Sequence, residues 1–425
     1  MAGLPWFATF FGRDALIASY EYLLWDPSIA VNTLYTLAQW QGRQMNEARE
    51  EEPGKMVHEI RFGEMAQSGQ VPFSQYYGSV DVTPLFLILL LETWKRTGND
   101  QLIADLWPQA EHSLSWLLKA QDPKSGLFAF QNHGDQGLII QSWKDSFDSM
   151  VYGNGEHAKP PLAVSEVQGY AFRALELAGQ YYRYTGSEDK ARELDKRALT
   201  LKRQFNKLYW IEKGSYYALA LDSSLRPLDV LTSDTGQCLW TGIVSSSRKR
   251  ALTRTIMAPE LFSGWGIRTL SSAAFSYDPY SYHRGSIWPH DTALIAKGLA
   301  QSGMWKEARV LARSLLEAAS HFPFSRLPEL FSGEPSTSAP SPYQGACSPQ
   351  AWAAGAPLLL LQVILGMEID ATRQLITLRP EHPWLLGPFS VHNIPLTKGE
   401  VITLKSGSKG VVLEQVPSHW QVKRN

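Results

Sequence analysis

Cysteine is nearly missing from this chain. Its two copies, Cys238 and Cys347, sit beside small or apolar residues and make no disulfide framework. Two buried free thiols are expected, and with them a reducing, cytoplasmic setting. Long apolar runs are also missing. The longest, residues 84–91, falls far short of the roughly 20 residues that span a bilayer, so no membrane partner is expected. The first residues show neither the basic stretch nor the apolar core of a secretory signal. Charge is balanced at −1, with no long basic stripe, which argues against a nucleic-acid partner. There is no Gly-x-Gly-x-x-Gly, no Walker loop and no Gly-x-Ser-x-Gly elbow, so nucleotide, redox-cofactor and serine-hydrolase chemistry have no support. His283 and His290 stand seven apart with no Glu or Cys to complete a ligand set. Neither a metal nor a cofactor is expected.

Aromatic residues, in contrast, are plentiful: 12% of the chain, with 15 Trp. They gather in motifs. The first runs Gly3-Leu-Pro-Trp-Phe-Ala-Thr-Phe-Phe-Gly-Arg-Asp14, just before a helix-like stretch. Aromatic faces stack on sugar rings, and an Arg/Asp pair hydrogen-bonds neighbouring hydroxyls. The same stretch also reads as a plain helix start, with Asp14 near the N-terminus. Recurrence of Trp, Tyr, Arg, Asp and Glu clusters along the chain favours the carbohydrate reading.

Apolar periodicity predicts helices in pairs over residues 13–24 and 28–42, 82–97 and 100–120, 162–185 and 189–208, 235–241 and 246–257, and 291–302 and 305–319. A single run follows at 349–366. Connections within pairs are short. Those between pairs are long, at 43–80, 121–161, 209–234, 258–290 and 321–348, and they hold the distinctive motifs. Short turns alternating with long motif-bearing loops describe a ring of helical hairpins whose loops gather at one end. The fold expected is all-α, an (α/α)6 toroid over residues 1–370, with a small β-rich extension over 371–425 in which strands fall between 376 and 422. Eleven helices leave a ring of six hairpins one short. The missing partner is expected upstream of Met1, and the open position invites a homo-oligomer. Residues 334–343, rich in Ser and Pro, read as a flexible loop.

Glycosidic hydrolysis needs two carboxyl groups, an acid for the leaving oxygen and a base for water. The loops offer Asp145 and Asp148, flanking Ser146-Phe147 after Trp143, and Glu329, displayed between Pro328 and Leu330. Burial against Leu327, Leu330 and Phe331 would raise the pKa of Glu329. Helix capping for the two Asp and a surface position for Glu329 are the plainer readings of each acid taken alone. Ser281-Tyr282-His283 and Trp288-Pro289-His290-Asp291 supply further candidates for substrate contact.

Taken in order, Gly3-Leu-Pro-Trp-Phe, Phe11-Gly-Arg-Asp14, Gly78-Ser-Val-Asp81, Trp143-Lys-Asp-Ser, Glu166-Val-Gln-Gly-Tyr, Gly266-Ile-Arg-Thr-Leu, Ser281-Tyr-His, Gly-Ser-Ile-Trp-Pro-His-Asp291 and Leu327-Pro-Glu-Leu-Phe resemble the amylo-α-1,6-glucosidase family, the glucosidase part of glycogen debranching enzymes, over roughly residues 3–390. The resemblance implies an (α/α)6 barrel, inverting hydrolysis of a terminal α-linked glucose and no cofactor. It implies that Arg13 and Asp14 grip the glucosyl unit at the floor of the innermost subsite, with Trp6, Trp143 and Trp288 as walls. It makes Glu329 the general base and Asp145 the general acid, two residues after the Trp. Trehalases and processing α-glucosidases resemble this loop with the acid at Asp148. Substrate contacts carry over to Phe11, Tyr77, Asp81, Lys144, Glu166, Trp265, Arg268, Tyr282, His283, His290 and Asp291. Members usually have a β-rich domain and one more helix before Gly3, and these residues are not in the chain.

The leading expectation is therefore an α-1,6-acting α-glucosidase with a carbohydrate partner. A second keeps the fold and changes the substrate to trehalose, sucrose or a glucosylated small solute of the glycerate kind. A third is an inactive sugar-binding protein.

Overall fold

Two kinds of helix alternate along the chain. In the computed structural model the described residues are 1–133, 137–379, 387–397, 399–407 and 410–424. Among them are eleven long helices and one short one: α1 (Gly12–Tyr22), α2 (Pro27–Gln39), the short α3 (Glu64–Gln67), α4 (Val82–Thr97), α5 (Asp100–Ala120), α6 (Ser165–Tyr184), α7 (Glu188–Leu208), α8 (Asp234–Thr241), α9 (Lys249–Ile256), α10 (Pro289–Gln301), α11 (Trp305–Ala319) and α12 (Ala351–Leu365). Helices α4 and α10 are apolar or buried on nearly every side, as a helix packed all round must be. Helix α7 buries only the stripe Ala191, Leu194, Ala198, Leu201 and Phe205, the spacing of a one-sided contact.

The first kind forms the inner ring. Helix α1 packs on α4, α4 on α6, α6 on α8, α8 on α10, α10 on α12, and α12 back on α1. Helices α2, α5, α7, α9 and α11 each pack outside the inner helix that precedes them. This is the plan of an (α/α)6 toroid. Among the described residues no outer helix follows α12; α11 packs against it as well as against α10, and on the remaining side Ala354 is exposed and Pro357, Leu358 and Leu361 are partly so. The Trp25 indole N–H donates to the Leu358 carbonyl at 2.9 Å on this side.

Turn chemistry sets the hairpins. Gly98 sits in the left-handed region at φ 63° and ends α4, and Asn99 Oδ1 accepts from Leu102 N at 3.1 Å to begin α5. Where α8 meets α10 the backbones nearly touch. A Cβ added at Gly298 would lie 2.4 Å from the Trp240 nitrogen.

The helix expected over 162–185 starts later, at Ser165, because Ala163–Val164 pairs as a strand with Ala220–Leu221. The weak helix expected from 246 starts at Lys249. The long loops carry short strands instead of coil. Phe10–Phe11 pairs with Glu59–Ile60, and single bridges join Arg268 to Ile287, Ile287 to Phe331 and Phe331 to Pro342. The Ser/Pro-rich stretch is tied down as well, by Ser336 N to the Ser263 carbonyl at 2.9 Å and by the Trp265 indole to the Ser338 carbonyl at 3.0 Å.

The tail forms two three-stranded sheets. One joins Glu368–Asp370, Leu375–Leu378 and Gln421–Arg424, the last pair parallel; the other joins Phe389–Pro395, Val401–Gly407 and Gly410–Glu414 antiparallel. Residues 380–386, 398, 408–409 and 425 of this tail lie outside the described residues. Ile376, Ile394, Ile402 and Leu404 build a second core with Leu24 and Leu365 at the ends of α1 and α12.

Candidate active site

The first turn of α1 follows the Phe10–Phe11 strand directly, so Arg13 and Asp14 are buried where the inner helices meet the loops. The Arg13 guanidinium donates to the Ser142 carbonyl at 2.5 Å and lies 3.3 Å from both Asp81 and Asp145. Burial opposes its charge, but Asp81, Asp145 and Asp14 more than compensate and hold its pKa above the usual value. Arg13 binds the two acids Asp81 and Asp145, and Asp14 accepts from Gln350 Nε2 at 3.2 Å. Desolvation pushes the Asp14 carboxyl up to about 7, with Arg13 pulling it back and Glu329 and Asp145 adding like charge.

Glu329 is buried and surrounded by donors. Tyr282 Oη donates to its Oε1 at 2.7 Å, Cys347 N to its Oε2 at 2.9 Å, and Gln350 Nε2 reaches Oε1 at 3.4 Å. Burial raises its pKa, the Cys347 N–H and the Tyr282 hydroxyl oppose that rise, and Asp145 adds to it. Asp145 keeps 32% of its side-chain surface. Desolvation lifts it to about 6 against the pull of Arg13. Asp148 is bound elsewhere, to Arg284 Nε at 2.8 Å, and is not among the residues that line the cavity.

That cavity measures about 150 Å³ and is walled by Phe7, Phe11, Arg13, Asp14, His58, Glu59, Arg61, Leu138, Trp143, Asp145, Tyr282, His283, Trp288, Glu329 and Trp352. Side chains from the N-terminal segment, from four loops and from the first turn of α12 meet there. The His283 ring lies parallel to Trp288 at 5.0 Å, and its Nδ1 is 2.9 Å from Ser146 Oγ. Burial, with Lys144 and Arg13, keeps His283 neutral. Of the four carboxyl groups on this small cavity, Glu329 is encircled by donors and Asp145 is held partly protonated, a pair that suits acid–base chemistry on a polar ring.

Other expected contacts lie outside the lining. Trp6 is 67% exposed. Tyr77 is buried and donates to the Trp40 carbonyl at 3.0 Å. Asp81 is a full layer behind, under Arg13. Lys144 turns away from the cavity to Asp234 and the Thr269 carbonyl. Glu166 is buried, with no hydrogen-bond partner among the described residues, and desolvation drives its pKa well up. Trp265 packs edge-on to His321. Arg268 donates to the carbonyls of Gly333 and Pro259 at 2.6 and 2.7 Å, so it stitches loops together. His290 stacks on Trp352 at 3.8 Å, and Asp291 accepts from Gln237 at 2.5 Å. Apart from solvent-exposed Trp6 and unpartnered Glu166, these side chains are bound within the scaffold and do not line the cavity.

The sequence did not point to Glu59, Arg61, Gln350 or Trp352. Glu59 is buried and ion-paired with Arg61 at 2.6 Å; burial pushes it to about 7, against the Arg61 charge. Arg61 is 44% exposed. The two stand two apart on an extended segment and so share a face, but the segment carries no motif. No group of three or more His, Cys, Asp or Glu among the described residues is placed to hold a metal ion, and no described helix is long and apolar enough to cross a membrane.

A family model described as the mannosylglycerate hydrolase MGH1-like glycoside hydrolase domain matches residues 13–339. No curated protein matches the chain. Among solved structures, a GH63 mannosylglycerate hydrolase from Thermus thermophilus, in complex with Tris, is similar at TM-score 0.63 and 15% identity over 84% of this chain and 94% of that one. A GH78 family rhamnosidase of Bacillus sp. GL1 is similar at TM-score 0.63 and 15% identity, and a sialidase at TM-score 0.65 and 13% identity. The likeness covers 98% of this chain but only 40% of the rhamnosidase, and 93% of this chain but 35% of the sialidase. At such identities the likeness is one of fold. The family match carries the glycosidase class; it does not carry the α-1,6 debranching specificity that the motifs resemble.

Proposed function

Since the chain belongs to the family of MGH1-like glycoside hydrolase domains, we propose that it is an inverting hydrolase that removes one terminal α-linked sugar from a small, acid-bearing aglycone of the glycerate kind. The observation that carries this is the pairing of Asp145 and Glu329 on a cavity of about 150 Å³ that Arg61 also lines. The sugar sits over Asp14 and against Trp143 and Trp288. Asp145, protonated, gives its proton to the glycosidic oxygen as the bond to the anomeric carbon breaks. Glu329, ionised, takes a proton from a water that bonds to the opposite face of that carbon. The anomeric configuration inverts, and solvent resets both carboxyl groups. Inversion needs room for the water, so the two carboxyl groups are expected to stand about 6.5–9.5 Å apart. Arg61 supplies a cation for an aglycone carboxylate.

A second reading is the α-1,6-glucosyl end of a branched glucan. It draws on exposed Trp6, Phe62 and Phe147, each one or two residues from a cavity-lining side chain, which offer stacking surface to a longer glycan. Sugar release from glucosylglycerate, mannosylglycerate, panose, isomaltose, limit dextrin, trehalose and sucrose separates the readings, and proton NMR of the first product gives the anomer. Release of the retained anomer, or of no sugar from any substrate, would overturn the proposal. A cytoplasmic setting is part of it and is supported by two free, buried cysteines. So is a homo-oligomer, supported by the exposed Ala354 and the half-buried Pro357 and Leu358 of α12; a monomer by light scattering would remove that part.

A further inference from the structure

We propose that Asp234 is a positioning residue for the general acid. The inference rests on the assignment of Asp145 as that acid. Asp234 opens inner helix α8 and is fully buried. Its Oδ1 accepts from the Trp143 indole N–H at 2.8 Å, and its Oδ2 accepts from Lys144 Nζ. One carboxylate therefore holds the side chains of both residues that immediately precede Asp145. Lys144 is locked further by the Thr269 carbonyl at 2.8 Å. Trp143 is locked by edge-to-face contacts with His283, Trp288 and His290, at 5.5, 5.7 and 5.1 Å between ring centres.

Further ties on this loop fall on either side of that pair. Arg13 holds the Ser142 carbonyl at 2.5 Å, and Ser149 Oγ donates to the Lys144 carbonyl at 2.5 Å. Asp234 fastens the two side chains just before the acid to the rigid ring. An inner helix is a far stiffer support than a loop of this length. The residue must be an acid because its two donors diverge and one is a buried ammonium. An amide would turn its own N–H₂ toward one of them. Asp234 does not touch the cavity, so its effect on the reaction passes through the placing of Asp145.

Placement errors of about 1 Å cost on the order of 100-fold in rate. The step most exposed to the error is proton delivery to the leaving oxygen. The experiment compares wild type, Asp234→Asn, the double variant Lys144→Met/Asp234→Asn and Asp145→Asn on an O-linked α-glycoside and on α-D-glucosyl and α-D-mannosyl fluoride. Fluoride leaves without a proton from the enzyme. Asp234→Asn is expected to lose roughly tenfold or more in kcat on the O-glycoside, with KM within about threefold, and to keep most of its rate on the fluoride. The double variant removes both buried charges, so it tests the role even if the single variant folds poorly; the same split is expected from it. Equal losses on both substrates, or a double variant as fast as wild type on the O-glycoside, overturns the inference. Asp145→Asn separates the layers. If it shows the split and the Asp234 variants do not, the positioning role fails alone. If it shows no split, the acid assignment fails and the inference falls with it.

Discussion

Gln350 donates to Asp14 across 336 residues of sequence, at 3.2 Å. The same amide nitrogen reaches Glu329 Oε1 at 3.4 Å. One neutral side chain, at the N-cap of α12, thus joins the Asp14 carboxyl to the proposed base, both of which line the cavity. An amide donor can serve two acids without adding charge of either sign.

Replacing Gln350 by Ala removes a donor that favours the ionised form of both acids, so both pKa values rise. The acid limb of the kcat/KM profile, set by Glu329, is expected to move to higher pH, with a loss of roughly tenfold near the optimum. A pH–rate profile of the variant checks this; an unmoved limb would show that the contact at 3.4 Å carries no weight.

Asp145→Asn and Glu329→Gln should each lower turnover by about 100-fold or more. Asp148→Asn should cost far less, because its carboxylate binds Arg284 instead of lining the cavity. In the wild type, kcat/KM should fall above about pH 6, where Asp145 loses its proton. Single-variant kinetics on one substrate decide the order of the three.

Asp14 also writes itself into stability. Its folded pKa of about 7 lies above its usual 3.8, so the folded state holds the proton more tightly than the unfolded state. Its contribution is fully present below about pH 4 and is lost as pH rises to 7, by on the order of a few kcal/mol. Buried neutral His58, His283 and His290 act in the opposite direction. The comparison that isolates Asp14 is therefore urea unfolding of wild type and Asp14→Asn at about pH 4.5 and 7.5. The variant should gain on wild type at the higher pH; a pH-independent difference would refute the shift.

Arg61→Gln should raise KM for an acid-bearing glycoside by roughly tenfold or more while leaving a neutral glycoside within about twofold. Equal effects on both would mean that Arg61 serves only as the partner of Glu59, to which it is bound at 2.6 Å.

Gly298→Ala drives a methyl group to within 2.4 Å of the Trp240 backbone nitrogen, where neither helix can yield cheaply. A destabilisation of roughly 1–3 kcal/mol is expected by chemical denaturation. Unchanged stability would mean that α8 and α10 are not closely packed there.

Structure is legible in the sequence where local chemistry and tertiary packing agree. Helices α4, α5 and α11 begin and end where the periodicity places them, and Gly98 and Asn99 stop α4 and cap α5. Structure is least legible where distant strands decide. Leu162 looks helical in isolation, yet it bridges Phe130, and its neighbours pair with Ala220 and Leu221. In the site, Arg13, Asp14, Trp143, Asp145, Tyr282, His283, Trp288 and Glu329 stood out through their motifs, and all line the cavity. Glu59 and Arg61 had no such setting; only the pairing of Phe10–Phe11 with Glu59–Ile60 brings them in. Trp6 misled because aromatic character says nothing about which way a turn faces, and this one leaves the indole in solvent.

The joint between α12 and α1 has a consequence for how the molecule is made. Gly3 bridges Gln350, and Ala351 N donates to the Ala2 carbonyl at 2.8 Å, so the wall that joins Asp14 to Trp352 exists only once the first and last inner helices have met. That contact closes the longest loop in the helical ring, and closing it is slow compared with forming any one hairpin. A ribosome-bound chain lacking α12 would have Asp14 and Glu329 in hand yet no Gln350 to join them. Activity should therefore arrive last in refolding, after helix content has recovered.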